Sequence, residues 1–122
     1  TIEQKIKKGE NMIENRPWRY YEVLQESTIN KTKLIHINTY SRLSYQRHQE
    51  RSEHWFIICG IALVTIEDEK HIMYPGESID ILQGIRHRIE SLHQEVEFIE
   101  VQTGVYFGED DIERFEDDYG RI

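Results

Sequence analysis

The chain predicts an all-β fold, a small sandwich or barrel, and three observations carry that reading. Short runs rich in β-branched and aromatic residues recur about once every ten residues, turn-forming residues separate them, and apolar and polar side chains alternate within several of them. The alternation is plainest in Val64-Thr65-Ile66 and Ile79-Asp80-Ile81, as on strands with one buried face. Strands are expected over 20–24, 33–38, 55–59, 62–67, 70–74, 78–82, 87–91 and 96–102.

Residues 1–15 carry weak helical spacing (Ile2, Ile6, Met12, Ile13), broken by Gly9, and predict an N-terminal helix or arm. Arg16-Pro17-Trp18 changes the texture, so the domain proper is expected over 16–122. Ile66-Glu67-Asp68-Glu69-Lys70 predicts a hairpin turn. Tyr74-Pro75-Gly76-Glu77 predicts another, in which proline fixes φ and glycine accepts a positive φ. From Gly108 onward acidic residues crowd the chain. Ile112 and Phe115 are three apart and Phe115 and Tyr119 four, which predicts a short C-terminal helix with its acids in water. The regular spacing of a calcium loop is missing there.

At 122 residues and 38% apolar, the chain has material for one core and one domain. Fifteen basic against 23 acidic residues give a net charge of −8, which argues against a nucleic-acid surface. No run approaches the ~18 consecutive apolar residues of a membrane span, and Thr1-Ile2-Glu3-Gln4-Lys5 does not read as a signal peptide, so a soluble cytoplasmic protein is expected. The single cysteine, Cys59, excludes an intramolecular disulfide and fits a reducing compartment. Its apolar run, Trp55-Phe56-Ile57-Ile58-Cys59, predicts a buried, inert thiol.

The chemistry-bearing pattern is Gln46-Arg47-His48, then Glu53, then His87. Imidazole nitrogens with carboxylate and amide oxygens suit a divalent metal of borderline preference. On a strand, residues two apart share a face, so Gln46 and His48 would project together, with Glu53 and His87 arriving from neighbouring strands. Zinc is the first expectation for the ion, with manganese, cobalt or magnesium as alternatives. Arg42, Arg47, Arg51, Arg86 and Arg88 flank these positions, as a pocket for an anionic small molecule requires. His54 reads as a neighbour of the site or a proton-transfer group, and His36, His71 and His93 as surface residues.

These residues resemble the two motifs of the cupin family. Gln46-x-His48, four residues, Glu53, six residues and Gly60 reproduce the first. Gly76, five residues, Leu82-Gln83-Gly84, two residues and His87 reproduce the second, apart from its proline. More narrowly, four stretches resemble the C-terminal cupin domain of type II mannose-6-phosphate isomerases: Arg16-Pro17-Trp18-Arg19-Tyr20-Tyr21-Glu22-Val23-Leu24, Leu43-Ser44-Tyr45-Gln46-Arg47-His48 with Arg51-Ser52-Glu53-His54-Trp55, Ile99-Glu100-Val101-Gln102-Thr103-Gly104, and Gly108 to Arg121. In that family the domain is often fused to a GDP-mannose pyrophosphorylase, and Gln in place of the first cupin His is typical. The chain departs from the pattern at turns: Thr39-Tyr40 replaces a Pro-Gly, Arg19 a Gly, and Ser91 an Asn.

The resemblance implies a jelly-roll barrel and a metal-dependent aldose–ketose isomerase that interconverts mannose 6-phosphate and fructose 6-phosphate through an enediol. Gln46, His48, Glu53 and His87 would hold one divalent ion that stabilises the developing negative charge. Arg51, His54 and Glu100 are the expected catalytic residues, with His54 or Glu100 as the base and Arg51 touching substrate. Arg88 and Lys70 are the expected phosphate contacts. The expected partners are a sugar phosphate and a second copy of the chain, in a homodimer, with no nucleic acid and no membrane. Two alternatives stand beside this reading: a non-catalytic sugar-phosphate-binding or regulatory cupin, and a cupin enzyme acting on another sugar. An iron dioxygenase is disfavoured by Gln46. No glycine-rich nucleotide-phosphate loop occurs in these residues, so pyrophosphorylase activity is not expected.

Overall fold

Alternating side chains take up extended structure at each of the expected places in the computed structural model, which describes residues 12–122. Among the described residues there are eleven strands and no helix: β1 Met12–Arg16, β2 Arg19–Glu26, β3 Asn30–Ile37, β4 Tyr45–Arg47, β5 Arg51–Cys59, β6 Ala62–Ile66, β7 Glu69–Met73, β8 Ser78–Ile81, β9 His87–Ser91, β10 Val96–Gly104 and β11 Glu113–Glu116. They form a six-stranded sheet in the order β1-β2-β3-β10-β5-β8 and a five-stranded sheet in the order β11-β4-β9-β6-β7, with every pairing antiparallel. This is the jelly roll that the resemblance implies.

Both expected turns form. Glu67 and Asp68 each have positive φ, 47° and 69°, as the two-residue hairpin between β6 and β7 requires. Glu77 N–H donates to the Tyr74 carbonyl at 3.0 Å across the Pro75-Gly76 turn. At Gly60, φ is +81° and a Cβ would collide with the Glu95 carbonyl oxygen, so only glycine fits where β5 passes to β6.

Register sets the character of the interior. Phe98 of β10 faces Ile35 of β3 and Ile57 of β5, and one inward step along, Glu100 faces Lys33 and Trp55. One step further, Gln102 faces Lys31 and Glu53. Three adjacent strands therefore change from apolar to polar at the same level, because residues two apart share a face. Ile37, Ile57, Val64, Ile89, Val96 and Phe98 close the apolar end. The polar end becomes a pocket.

Four expectations require correction. Residues 1–11 of the expected arm lie outside the described residues, and Met12–Arg16 is an edge strand paired with β2, not an arm or a helix. The C-terminal helix is absent. Glu113–Glu116 pairs with β4 instead, so tertiary strand pairing overrides the helical spacing of Ile112, Phe115 and Tyr119. Cys59 is exposed, because a bulge between Glu97 and Phe98 shifts the register after Ile57 and breaks the alternation. His36 is buried, stacked on the Tyr20 ring at 4.3 Å between centroids, with Glu97 3.0 Å from its Nδ1.

Candidate metal centre

The polar end gathers candidate ligands from three strands and one strand exit. Glu53 points inward from β5 and His87 from the start of β9, while His48 follows directly on β4. All three are nearly fully buried, and their donor atoms lie within 4.8 Å of one another. His48 Nε2 is 3.3 Å from Glu53 Oε2, and His87 Nε2 is 3.6 Å from Glu53 Oε1.

The imidazoles are oriented for ligation. His48 Nδ1–H donates to the Asp111 carbonyl at 2.7 Å and His87 Nδ1–H to the Ile85 carbonyl at 2.9 Å. A carbonyl only accepts, so in each neutral ring the proton sits on Nδ1 and Nε2 offers its lone pair to the pocket. Burial, with Arg51 and His87 alongside, depresses the His48 pKa to about 4, and burial depresses that of His87 to about 4. Both rings are thus neutral near pH 7, the form that binds metal. Two imidazole nitrogens and a carboxylate fit a divalent ion, and the donor set is of the kind that zinc and its neighbours prefer.

Gln46 lines the same pocket, directly opposite His87 across the β4–β9 pair. Its amide nitrogen donates to the Ser44 carbonyl at 3.3 Å and the Ser44 hydroxyl at 3.1 Å, which leaves the amide oxygen as the end available to a ligand. Arg51 enters from β5. Its Nε–H donates to Glu53 Oε2 at 3.1 Å and an NH2 lies 3.4 Å from His48 Nε2, so it balances the buried charge of Glu53.

Glu100 stands behind Glu53. Trp55 Nε1–H is shared between Glu53 Oε1 and Glu100 Oε1, 3.1 Å from each, and Gln102 donates to Glu100 Oε2 at 2.8 Å. Burial and the adjacent Glu53 raise the Glu100 pKa to about 7, so at neutral pH it can hold a proton or take one.

The other expected residues lie elsewhere. His54 sits between two inward residues of β5, so it points outward, where its Nδ1 meets Asp80 at 2.6 Å and about half its side chain is exposed. Lys70 is exposed on β7, in a shallow groove with Arg42 and Glu90, and does not line the metal pocket. Arg88 borders the pocket, but its guanidinium donates to the Leu43 carbonyl at 3.0 Å and Glu116 at 3.1 Å, fastening β9 to β11.

The C-terminal segment supplies what sequence reading missed. Asp111 accepts N–H bonds from Gln49 and Glu50, both at 3.0 Å, while its own carbonyl holds His48. Glu109 turns into the pocket to meet Lys33 at 3.0 Å. Burial would raise its pKa, but Lys33, Lys31 and Arg51 outweigh burial and hold it at about 2. Ile112, Arg114 and Arg121 complete that wall. The available signal was the apolar-to-charged switch at Lys31 and Lys33, two inward lysines that need acidic partners.

A buried His-Glu-His group inside a jelly roll defines a cupin with a centre that can hold a metal. Residues 3–117 match the family described as mannose-6-phosphate isomerase C-terminal, and the chain belongs to it. It is 40% identical over 107 residues to a mannose-1-phosphate guanylyltransferase of Salmonella montevideo, a match covering 87% of this chain and 23% of that enzyme. The alginate biosynthesis protein AlgA of Pseudomonas aeruginosa is likewise 40% identical over 107 residues, or 87% of this chain and 22% of AlgA. The solved oxalate decarboxylase of Bacillus subtilis superposes with a TM-score of 0.75 at 20% identity, over 88% of this chain and 30% of that one, and shows the fold alone.

These relatives correct the expected function. The chain spans under a quarter of the length of the curated relatives it matches, and they are named for guanylyl transfer and alginate biosynthesis. The expectation of a free-standing isomerase of mannose 6-phosphate and fructose 6-phosphate gives way to that of a cupin domain of such proteins. Among the described residues, no helix is long and apolar enough to cross a membrane.

Proposed function

We propose that this chain is the metal-binding, mannose-phosphate-handling domain of a system that also transfers guanylyl groups, serving the synthesis of a polysaccharide. The observation that carries the reading is the convergence of His48, Glu53 and His87 beneath a basic wall, with the proton-holding Glu100 next to them. The curated relatives support the mannose-phosphate context.

The chemistry of the domain is of the isomerase type, an acid–base exchange on a sugar phosphate within that larger system. His48, Glu53 and His87, with the Gln46 amide oxygen, would hold a divalent ion, zinc first, which supplies a Lewis acid for a sugar oxygen when bound. Trp55 and Gln102 fix the Glu100 carboxyl, and its pKa of about 7 lets it donate or accept a proton at neutral pH. Arg51 supplies a fixed positive charge beside Glu53. The apolar end behind Trp55 keeps water from the rear of the site.

Calorimetric titration of mannose 6-phosphate into zinc-loaded and chelator-treated protein tests the reading. Saturable binding that requires the ion is expected. Heat signals that are equal with and without the ion, or no binding in either state, would overturn it.

A further inference from the structure

Resting on that reading, we propose that Arg114 is the specificity-determining residue that receives the anionic end of the ligand whose oxygens face His48, Glu53 and His87. Among the described residues, the other cations lining this pocket are already matched. Arg16 lies 3.7 Å from Glu14 and from Glu109, Lys33 3.0 Å from Glu109, Arg51 3.1 Å from Glu53, Arg88 3.1 Å from Glu116, and Arg121 2.8 Å from Asp117. Arg114 lines the pocket with no carboxylate in ion-pair range, and its buried Nε has no hydrogen-bond partner. A buried donor left unmade is costly, and an incoming anion satisfies it.

Strand register places this charge relative to the metal ligands. Arg114 of β11 pairs with Gln46 of β4, and Gln46 pairs with His87 of β9, so the three residues form one row across the sheet. Two inter-strand spacings separate Arg114 from His87 at the backbone, about 10 Å. That span suits an extended small molecule with metal-seeking oxygens at one end and a phosphate at the other.

Neighbouring charge points the same way. Burial, together with the Arg121 and Arg16 guanidiniums, outweighs the Asp117 and Glu109 carboxylates and holds the Arg114 pKa below the ordinary arginine value, and a bound anion relieves that repulsion. A guanidinium fork matches a phosphate bidentately, which an ammonium group cannot do.

The test titrates two probes into wild type, Arg114→Gln and Arg114→Lys: inorganic phosphate into chelator-treated protein, where no ion competes for it, and mannose 6-phosphate into zinc-loaded protein. Both probes are expected to bind wild type, to weaken about tenfold or more in Arg114→Gln, and to recover in part in Arg114→Lys. Zinc affinity should stay unchanged and the melting temperature of Arg114→Gln should not fall, because Arg114 has no partner to lose. Phosphate affinity equal in wild type and Arg114→Gln, or no phosphate binding to wild type, would overturn the assignment. Phosphate binding that depends on Arg114 while mannose 6-phosphate is ignored would uphold the anion subsite and remove the sugar-phosphate reading. Equal mannose 6-phosphate binding by wild type and Arg114→Gln would do the reverse.

Discussion

Glu100 is the residue in which burial and chemistry meet. Its pKa is raised to about 7 by burial and by Glu53, against an unfolded value near 4.5. A carboxyl raised in this way contributes stability that is fully present below the unfolded value and is lost as pH rises through about 7. His48 and His87 act in the opposite sense. Their depressed values, about 4 against 6.5 unfolded, give a contribution present above pH 6.5 and lost as pH falls toward 4. In chelator-treated protein, Glu100→Gln removes the first dependence and, by deleting a carboxylate that favours protonated His48 and His87, pushes the second further down in pH. Its stability relative to wild type is therefore expected to climb between pH 5 and pH 8, by up to about 3 kcal/mol. Denaturant unfolding of both proteins across that range checks this, and a difference independent of pH would refute it. The grouping of His48, Glu53 and His87 was legible in sequence because their residue types and spacing carry the chemistry. His54 misled because its parity was overlooked: Trp55 and Ile57 mark the inward face of β5, so Glu53 shares it and His54 does not.

At the scale of elements, the departures at turns leave a physical trace. Arg19 and Tyr40, standing where the resembled family has glycine, have φ of +149° and +55°. Local contacts hold both. Arg19 meets Glu95 at 3.1 Å and covers the Tyr20 ring, while the Tyr40 hydroxyl lies 2.8 Å from His93 Nδ1. A non-glycine residue at φ +149° costs about 1–3 kcal/mol, more than an exposed ion pair returns. Arg19→Gly is therefore expected to stabilise the protein by about 1 kcal/mol after the entropy of the added glycine is counted. Thermal unfolding decides it, and a lower melting temperature would mean that the Glu95 and Tyr20 contacts dominate. Strands with their own alternation were legible in the sequence, as were the two turns. β4 and β11 were not, since three- and four-residue strands owe their existence to partners far along the chain. The acids between Glu109 and Asp117 read as a solvated face because their partners are Lys33 on β3, the Gln49 and Glu50 amides in the turn between β4 and β5, and Arg121.

Over the whole molecule, an acidic protein keeps a basic pocket. The net charge of −8 is spread over the surface, while Arg16, Lys33, Arg51, Arg114 and Arg121 are gathered at one end of the barrel. The jelly roll makes this possible by bringing together strands from residue 12 to residue 116, so that the His-Glu-His group and the anion-facing wall share one opening. The fold class and the His-Glu-His grouping were readable from period and motif. The wall was not, because it depends on which strand lies beside which. The claim on which the rest stands is that His48, Glu53 and His87 hold one divalent ion. Metal content after zinc reconstitution and dialysis tests it most directly, in wild type beside Glu53→Gln and His87→Ala. One ion per wild-type chain, absent from both variants while they remain folded, is the predicted result; a wild type that retains no ion, or variants that retain it equally, would contradict the account.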